Sequence, residues 1–151
     1  MDNKTIGSHI SQTLNYSENL SGHLRKREVQ LLAALPFVRF PGDILEIGSF
    51  KGKSTIILAK SAKAAGLDKI YACDPLSLSC ETDPSDATGE ELPAIFYGNL
   101  DTHHVRQTVE FHQMKSEQLA ESWNRPLKIL WIDGDHTFKG VMLDFTLFKP
   151  Y

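Results

Sequence analysis

Residues 43 to 55 read Asp-Ile-Leu-Glu-Ile-Gly-Ser-Phe-Lys-Gly-Lys-Ser-Thr. A short apolar run ends in two glycines, Gly48 and Gly52, and passes straight into a segment of helical pattern. A strand that turns through glycines onto a helix is the opening unit of a parallel α/β sheet, so this stretch constrains the fold more than any other. Glycines there let the backbone fold tightly and approach a ligand, while the helix N-terminus offers unpaired N–H groups. The unit predicts a cofactor cradle. A tight turn that holds no ligand is the plainer alternative.

The pattern continues along the chain. Residues 1 to about 20 are polar and weakly periodic. Leu24, Val29, Leu31, Leu32 and Leu35 then predict an amphipathic helix that stops before Pro36 and packs on the main sheet. Strands are expected at 44–47, 69–73, 108–114 and 127–132. Helices are expected at 53–65, with Gly66 as its cap, and at 91–104, 116–123 and 138–148. Strands alternating with helices give a doubly wound, Rossmann-like parallel α/β sheet, here a partial one of about four strands. The expected organisation is a single domain over 1–151, with a helical segment at 1–40 and a cofactor-binding core at 41–151. A loop rich in Pro, Ser, Asp and Thr at 74–90 is long enough to be a functional lid or a mobile connection.

Composition narrows the class. With 41% hydrophobic residues, 23% charged residues and a net charge of −3, the chain is neither disordered nor basic enough to suggest nucleic acid. It shows no leader peptide and no apolar run near the roughly 20 residues of a membrane span, which favours the cytoplasm. The two cysteines, Cys73 and Cys80, lack Cys-x-x-Cys spacing and read as free thiols.

Two ligand classes compete for the glycine loop. Gly52-Lys53-Ser54-Thr55 copies the end of a phosphate-binding loop, and the apolar strand leading to Asp133 copies the metal site of an NTPase or kinase. Against this, Gly48 lies one residue too close to Gly52 for that motif. Glu46 beside the loop would also repel a polyphosphate, yet could accept hydrogen bonds from a cationic or hydroxyl-bearing ligand. Glu46-x-Gly48-x-x-x-Gly52-x-Ser54 resembles the first motif of class I S-adenosylmethionine-dependent methyltransferases. By that resemblance Glu46, Gly48 and Gly52 are cofactor-site residues, with Ser49, Phe50 and Ser54 lining the site. Asp74 ends the second strand, 22 residues after Gly52, where Rossmann-like folds present a carboxylate to ribose hydroxyls. The resemblance further points the adenine toward Met114, Lys115 and Ser116.

A second cluster, Asp133-Gly134-Asp135-His136, follows the fourth predicted strand. Asp133 and Asp135 offer oxygens to a hard cation such as Mg²⁺, and Asp135 or His136 could take a proton from an acceptor hydroxyl. The plain alternative is a helix cap with a surface histidine. The run from Ile132 to Val141, with Asp144 following, resembles the small O-methyltransferases related to macrocin and catechol methyltransferases. That resemblance implies Asp133 as a metal ligand that also adjoins the cofactor, Asp135 as the favoured base and His136 as the alternative. The other histidines, including the His103-His104 pair, are expected on the surface.

The resemblance implies methylation of a small hydroxylated acceptor, with Mg²⁺ lowering the hydroxyl pKa. The family sheet normally has seven strands in the order 3-2-1-4-5-7-6, and this chain supplies four. The expectation is therefore a C-terminally incomplete methyltransferase, or a homo-oligomer that pairs along the exposed fourth strand. A non-catalytic cofactor-binding or assembly module is the third reading.

Overall fold

The computed structural model describes residues 3–77 and 90–151. Four strands, β1 (Asp43–Ile47), β2 (Ile70–Cys73), β3 (Val109–His112) and β4 (Leu127–Ile132), form one sheet in the order β3-β2-β1-β4. All three pairings are parallel. The chain lays down β1, β2 and β3 outward and then returns to place β4 on the other side of β1. That reversal puts the topological switch point between β1 and β4, where a ligand crevice opens at the carboxyl ends of the strands.

Strand parity divides the core. In β1, Ile44 joins a cluster with Ile56, Ile57 and Leu58 of α3 (Lys53–Ala64), and with Phe96 and Leu100 of α4 (Leu92–Thr102). Leu45 and Ile47 point to the opposite face, against Leu119 of α5 (Ser116–Ala120), Trp123, and Phe148 of α6 (Phe138–Phe148). Glu46 shares the parity of Ile44 and therefore points toward α3, away from solvent.

Two helices precede the sheet: α1 (Asn3–Ser17) and α2 (Lys26–Ala34). The first falls where the sequence shows only weak periodicity. Its buried positions include Thr13 and Ser17, whose hydroxyls donate to the carbonyls of His9 (2.9 Å) and Leu14 (2.8 Å). Hydroxyls satisfied within their own helix can face a core, so the stripe is buried without being apolar. α2 ends at Ala34 as expected, and a 3-10 turn then carries Pro36. Its chief neighbours are α1 and α3 rather than the strands, and Leu31, expected on its apolar face, is 49% exposed.

Other departures are smaller. His9, His103 and His112 are half-buried, not on the surface, whereas His104 is exposed: His9 Nε2 is 2.9 Å from Ser61 Oγ, and His112 stacks on Tyr71. Cys73 is free and buried, and burial pushes its thiol up to about 12. Most of the loop expected at 74–90, with Cys80, lies outside the described residues.

Among the described residues β4 pairs only with β1, so it forms an edge of the sheet. The α6 helix beside it exposes Phe138, Val141, Met142 and Phe145, a helical i, i+3, i+4, i+7 stripe. No described helix is long and apolar enough to cross a membrane.

Candidate active site

The loop between β1 and α3 is held by side chains from three elements. Asp74, at the end of β2, accepts the N–H groups of Ser49 (2.7 Å) and Phe50 (2.9 Å) through Oδ2. Its Oδ1 accepts the N–H of Leu76 at 2.6 Å. Charge-assisted bonds of this kind are the strong ones, and they hold Phe50 at φ +48, a region non-glycine residues seldom occupy. Three bonds leave a carboxylate about one further lone-pair site. Asp74 is thus first a fastener of the loop, with room for one more donor.

Gly48 and Gly52 both have φ +88. A Cβ on Gly48 would stand 2.4 Å from the Asp133 carbonyl oxygen, because the backbone after β4 passes directly beside it. The Asp133 N–H donates to the Ile47 carbonyl at 2.8 Å, and the Gly48 N–H to the Cys73 carbonyl at 2.9 Å. Three strand ends are therefore tied together at one point. Asn99 of α4 adds a bond from Nδ2 to the Lys51 carbonyl at 2.8 Å.

Beneath the loop Glu46 is completely buried. Its Oε2 accepts the hydroxyls of Thr55 (2.5 Å) and Ser49 (3.0 Å), while Oε1 is buried with no hydrogen-bond partner. Burial pushes the carboxyl up to about 7 against the opposing pull of the Ser54, Thr55 and Ser49 hydroxyls, and the charge of Asp133 adds to the rise.

The glycine loop opens on a cleft of about 430 Å³, measured with the solvent at its mouth. Gly48, Ser49, Phe50 and Ser54 line one wall, Asp133 and His136 another, and Gly22, His23, Leu24 and Lys53 a third. The third wall went unrecognised in the sequence. His23 stacks on Phe50 with ring centroids 6.3 Å apart, and Lys53 Nζ donates to the Gly22 carbonyl at 3.3 Å. The only local signal for it is Gly22, whose φ of +142 bends the chain toward the loop.

Not every residue singled out in the sequence reaches this cleft. His136 Nε2 lies 3.5 Å from Asp133 Oδ1. Burial raises the Asp133 carboxyl, and the neighbouring His136 partly offsets that rise. Asp135 is exposed, and its Oδ1 accepts the Thr137 N–H at 2.9 Å. That backbone bond holds its carboxyl below the usual range. Thr137, not Asp133, caps α6, accepting the Gly140 N–H. Ser116 Oγ donates to the buried Asp144 at 2.5 Å, joining α5 to α6 outside the cleft lining. Among the described residues no three His, Cys, Asp or Glu side chains are arranged to hold a metal ion.

The arrangement suits a ligand with a positive centre and hydroxyls better than a polyphosphate. Lys53 is engaged with Gly22, and the hydroxyls of Ser54, which directly follows it, and of Thr55 act on the buried Glu46.

Comparison with known proteins agrees. The family described as "Methyltransferase domain" matches residues 45–151. The fold is similar to that of the O-methyltransferase TomG from Streptomyces achromogenes, involved in tomaymycin synthesis and solved with SAM. That match has a TM-score of 0.63 at 18% identity and covers 99% of this chain and 61% of that one. An O-methyltransferase from Bacillus cereus in complex with SAH gives a TM-score of 0.57 at 18% identity, over 97% of this chain and 61% of that one. SAH-bound PaMTH1 from Podospora anserina gives 0.60 at 11% identity, over 93% and 56%. These likenesses are of fold, and the chain spans about three fifths of the length of those proteins. With the glycine loop, the β1/β4 switch point and most of its length matched by one family, the chain belongs to the methyltransferase-domain family.

Proposed function

We propose that the chain binds S-adenosylmethionine over the β1–α3 loop and serves methyl transfer to the hydroxyl of a small acceptor. The observation that carries this reading is the glycine loop itself. Gly48 and Gly52, both at φ +88, make the tight turn that seats Gly48, Ser49, Phe50 and Ser54 along the cleft, and beneath it lies a buried carboxyl group whose Oε1 has no partner. When bound, the cofactor supplies an electrophilic methyl group on a sulfonium.

The chain's own residues then have separable parts. Asp74 holds the Ser49 and Phe50 amides in place and keeps one lone-pair site for a ribose hydroxyl. Ser54 and Phe50 bound the cofactor side of the cleft. His136 faces the same cleft with Asp133 beside it, so we assign it the proton of the acceptor hydroxyl in preference to Asp135, whose Oδ1 is engaged at the start of α6. With the methyl group supplied by the bound cofactor to the acceptor oxygen, His136 would take the hydroxyl proton. Asp133 is the one carboxylate among the cleft-lining residues. Among the described residues the donors around Asp133 do not complete a Mg²⁺ site.

Calorimetry with S-adenosylmethionine, S-adenosylhomocysteine and ATP in separate titrations tests the reading. Micromolar binding of the first two and none of ATP is expected, and the reverse order would overturn it. With a panel of catechols and hydroxylated metabolites, His136→Ala should lower turnover by roughly 10²–10⁴-fold and Asp135→Asn should not. Parallel assays with Mg²⁺ and with EDTA report on metal assistance.

A further inference from the structure

The wall formed by Gly22, His23 and Leu24 takes no part in the chemistry proposed above, and the one lysine of the cleft lies against it. Lys53 is the first residue of α3, where a positive charge opposes the helix dipole and costs stability. Its stem packs on Gly22: a Cβ there would stand 2.9 Å from Lys53 Cβ and 3.2 Å from Cδ. Lys53 Nζ donates to the Gly22 carbonyl at 3.3 Å. An ammonium has three donors, so this long bond leaves two. Among the described residues the ion pairs of lysine and arginine are Lys69–Glu110 and Arg125–Asp43, and Lys53 has no carboxylate partner. The sign persists beside it. Arg25, Lys26 and Arg27 follow the wall directly and are exposed, in a chain whose net charge is −3. Asp133 is the one carboxylate on the cleft walls, and it stands beside His136; Glu46 lies beneath the loop, off those walls. A sulfonium cofactor adds positive charge to this space and sharpens the shortage of negative charge.

We propose that Lys53 selects an acceptor that carries a carboxylate as well as the hydroxyl to be methylated. The inference rests on the function proposed above and names the acceptor class of that site. The two remaining donors of Nζ meet the carboxylate at the Gly22 wall, while His136 faces the hydroxyl from another wall of the same cleft. Holding the acceptor at two points fixes which hydroxyl is presented to the methyl group. The exposed Arg25, Lys26 and Arg27 raise the local concentration of such an anion. The Gly22 carbonyl holds Nζ to the connection between α1 and α2 rather than to the glycine loop, which favours the acceptor's carboxylate over the cofactor's as its partner.

Calorimetry on the protein saturated with S-adenosylhomocysteine tests this with catechol, 3,4-dihydroxybenzamide and 3,4-dihydroxybenzoate. The last two differ in charge and hardly in shape. The benzoate should bind about tenfold or more tighter than the benzamide, and the margin should shrink from roughly 20 to roughly 500 mM salt. Lys53→Met should erase the margin and Lys53→Arg should keep most of it. In turnover the same preference should appear in KM and not in kcat. If Lys53→Met does not fold, NMR of labelled lysine side chains supplies the readout. One ammonium signal of the unaltered protein, absent in Lys53→Arg, should then move with the benzoate and not with the benzamide. Equal binding of benzoate and benzamide overturns the inference alone. So does a margin that survives in Lys53→Met, and a drop in S-adenosylhomocysteine affinity in that variant would then assign the charge to the cofactor's carboxylate. Failure of S-adenosylhomocysteine to bind, or of all three probes to bind the loaded protein, overturns the proposed function and the inference with it.

Discussion

The loop after β1 and the turn after β4 lie side by side at the carboxyl edge of the sheet, yet they use their acidic residues in opposite ways. In the loop the carboxylates face inward. Asp74 accepts three backbone N–H groups and Glu46 is sealed beneath them. In the turn Asp135 faces solvent, and Asp133 and His136 stand at the cleft 3.5 Å apart. The first arrangement fixes a shape before any ligand arrives, and such preorganisation lowers the ordering cost of binding. The second leaves Asp133 and His136 on the cleft wall, where the proposed function places the acceptor.

The contrast can be broken most directly at Gly48. Gly48→Ala places a methyl group against the Asp133 carbonyl at a positive φ, and should destabilise the fold by about 4 kcal/mol. Urea denaturation checks this, and a loss below about 1 kcal/mol would show that the two segments are not jammed together.

A second test uses pH. The Glu46 carboxyl sits near 7 in the fold against an ordinary value of 4.5, so the folded state binds more protons between those values. Stability should therefore fall as pH rises from about 4.5 and level off above about 7, by about 3 kcal/mol from this group. Glu46→Gln should flatten that slope. A wild-type profile that is already flat would mean that Glu46 ionises freely in the fold.

Asp74→Ala strands two loop amides and that of Leu76, which should cost about 2 kcal/mol in stability and weaken cofactor affinity as well. Loss of affinity with stability unchanged would make Asp74 a ligand only, not a fastener. The smallest effect belongs to Asp135→Asn. It should shift the denaturation midpoint within the scatter of surface substitutions and leave cofactor affinity unchanged. A large loss of affinity would move Asp135 into the cleft and erase the contrast.

Much of this was legible in the sequence for physical reasons. The strands are short and apolar, so their existence and order along the chain could be read. Gly48 and Gly52 mark positions where only a residue without a Cβ fits. Other parts were hidden. The buried stripe of α1 runs through Thr13 and Ser17, whose hydroxyls are satisfied within the helix, so hydropathy gave no period. The wall formed by Gly22, His23 and Leu24 depends on a packing of α1 and α2 against α3 that no local pattern encodes. Asp135 and His136 are adjacent in sequence and both able to accept a proton. What separates them is position: His136 lines the cleft beside Asp133, whereas Asp135 is turned to the Thr137 amide.

The stripe of Phe138, Val141, Met142 and Phe145 on α6 has a colloidal consequence. The sequence pI is about 6.0, so near pH 6 electrostatic repulsion between molecules vanishes while the apolar patch and the β4 edge remain exposed. Solubility of the chain should pass through a minimum there, inside the very window in which Glu46 titrates. Calorimetry and denaturation across that window are best run dilute, with light scattering alongside, because self-association would otherwise imitate a proton-linked transition.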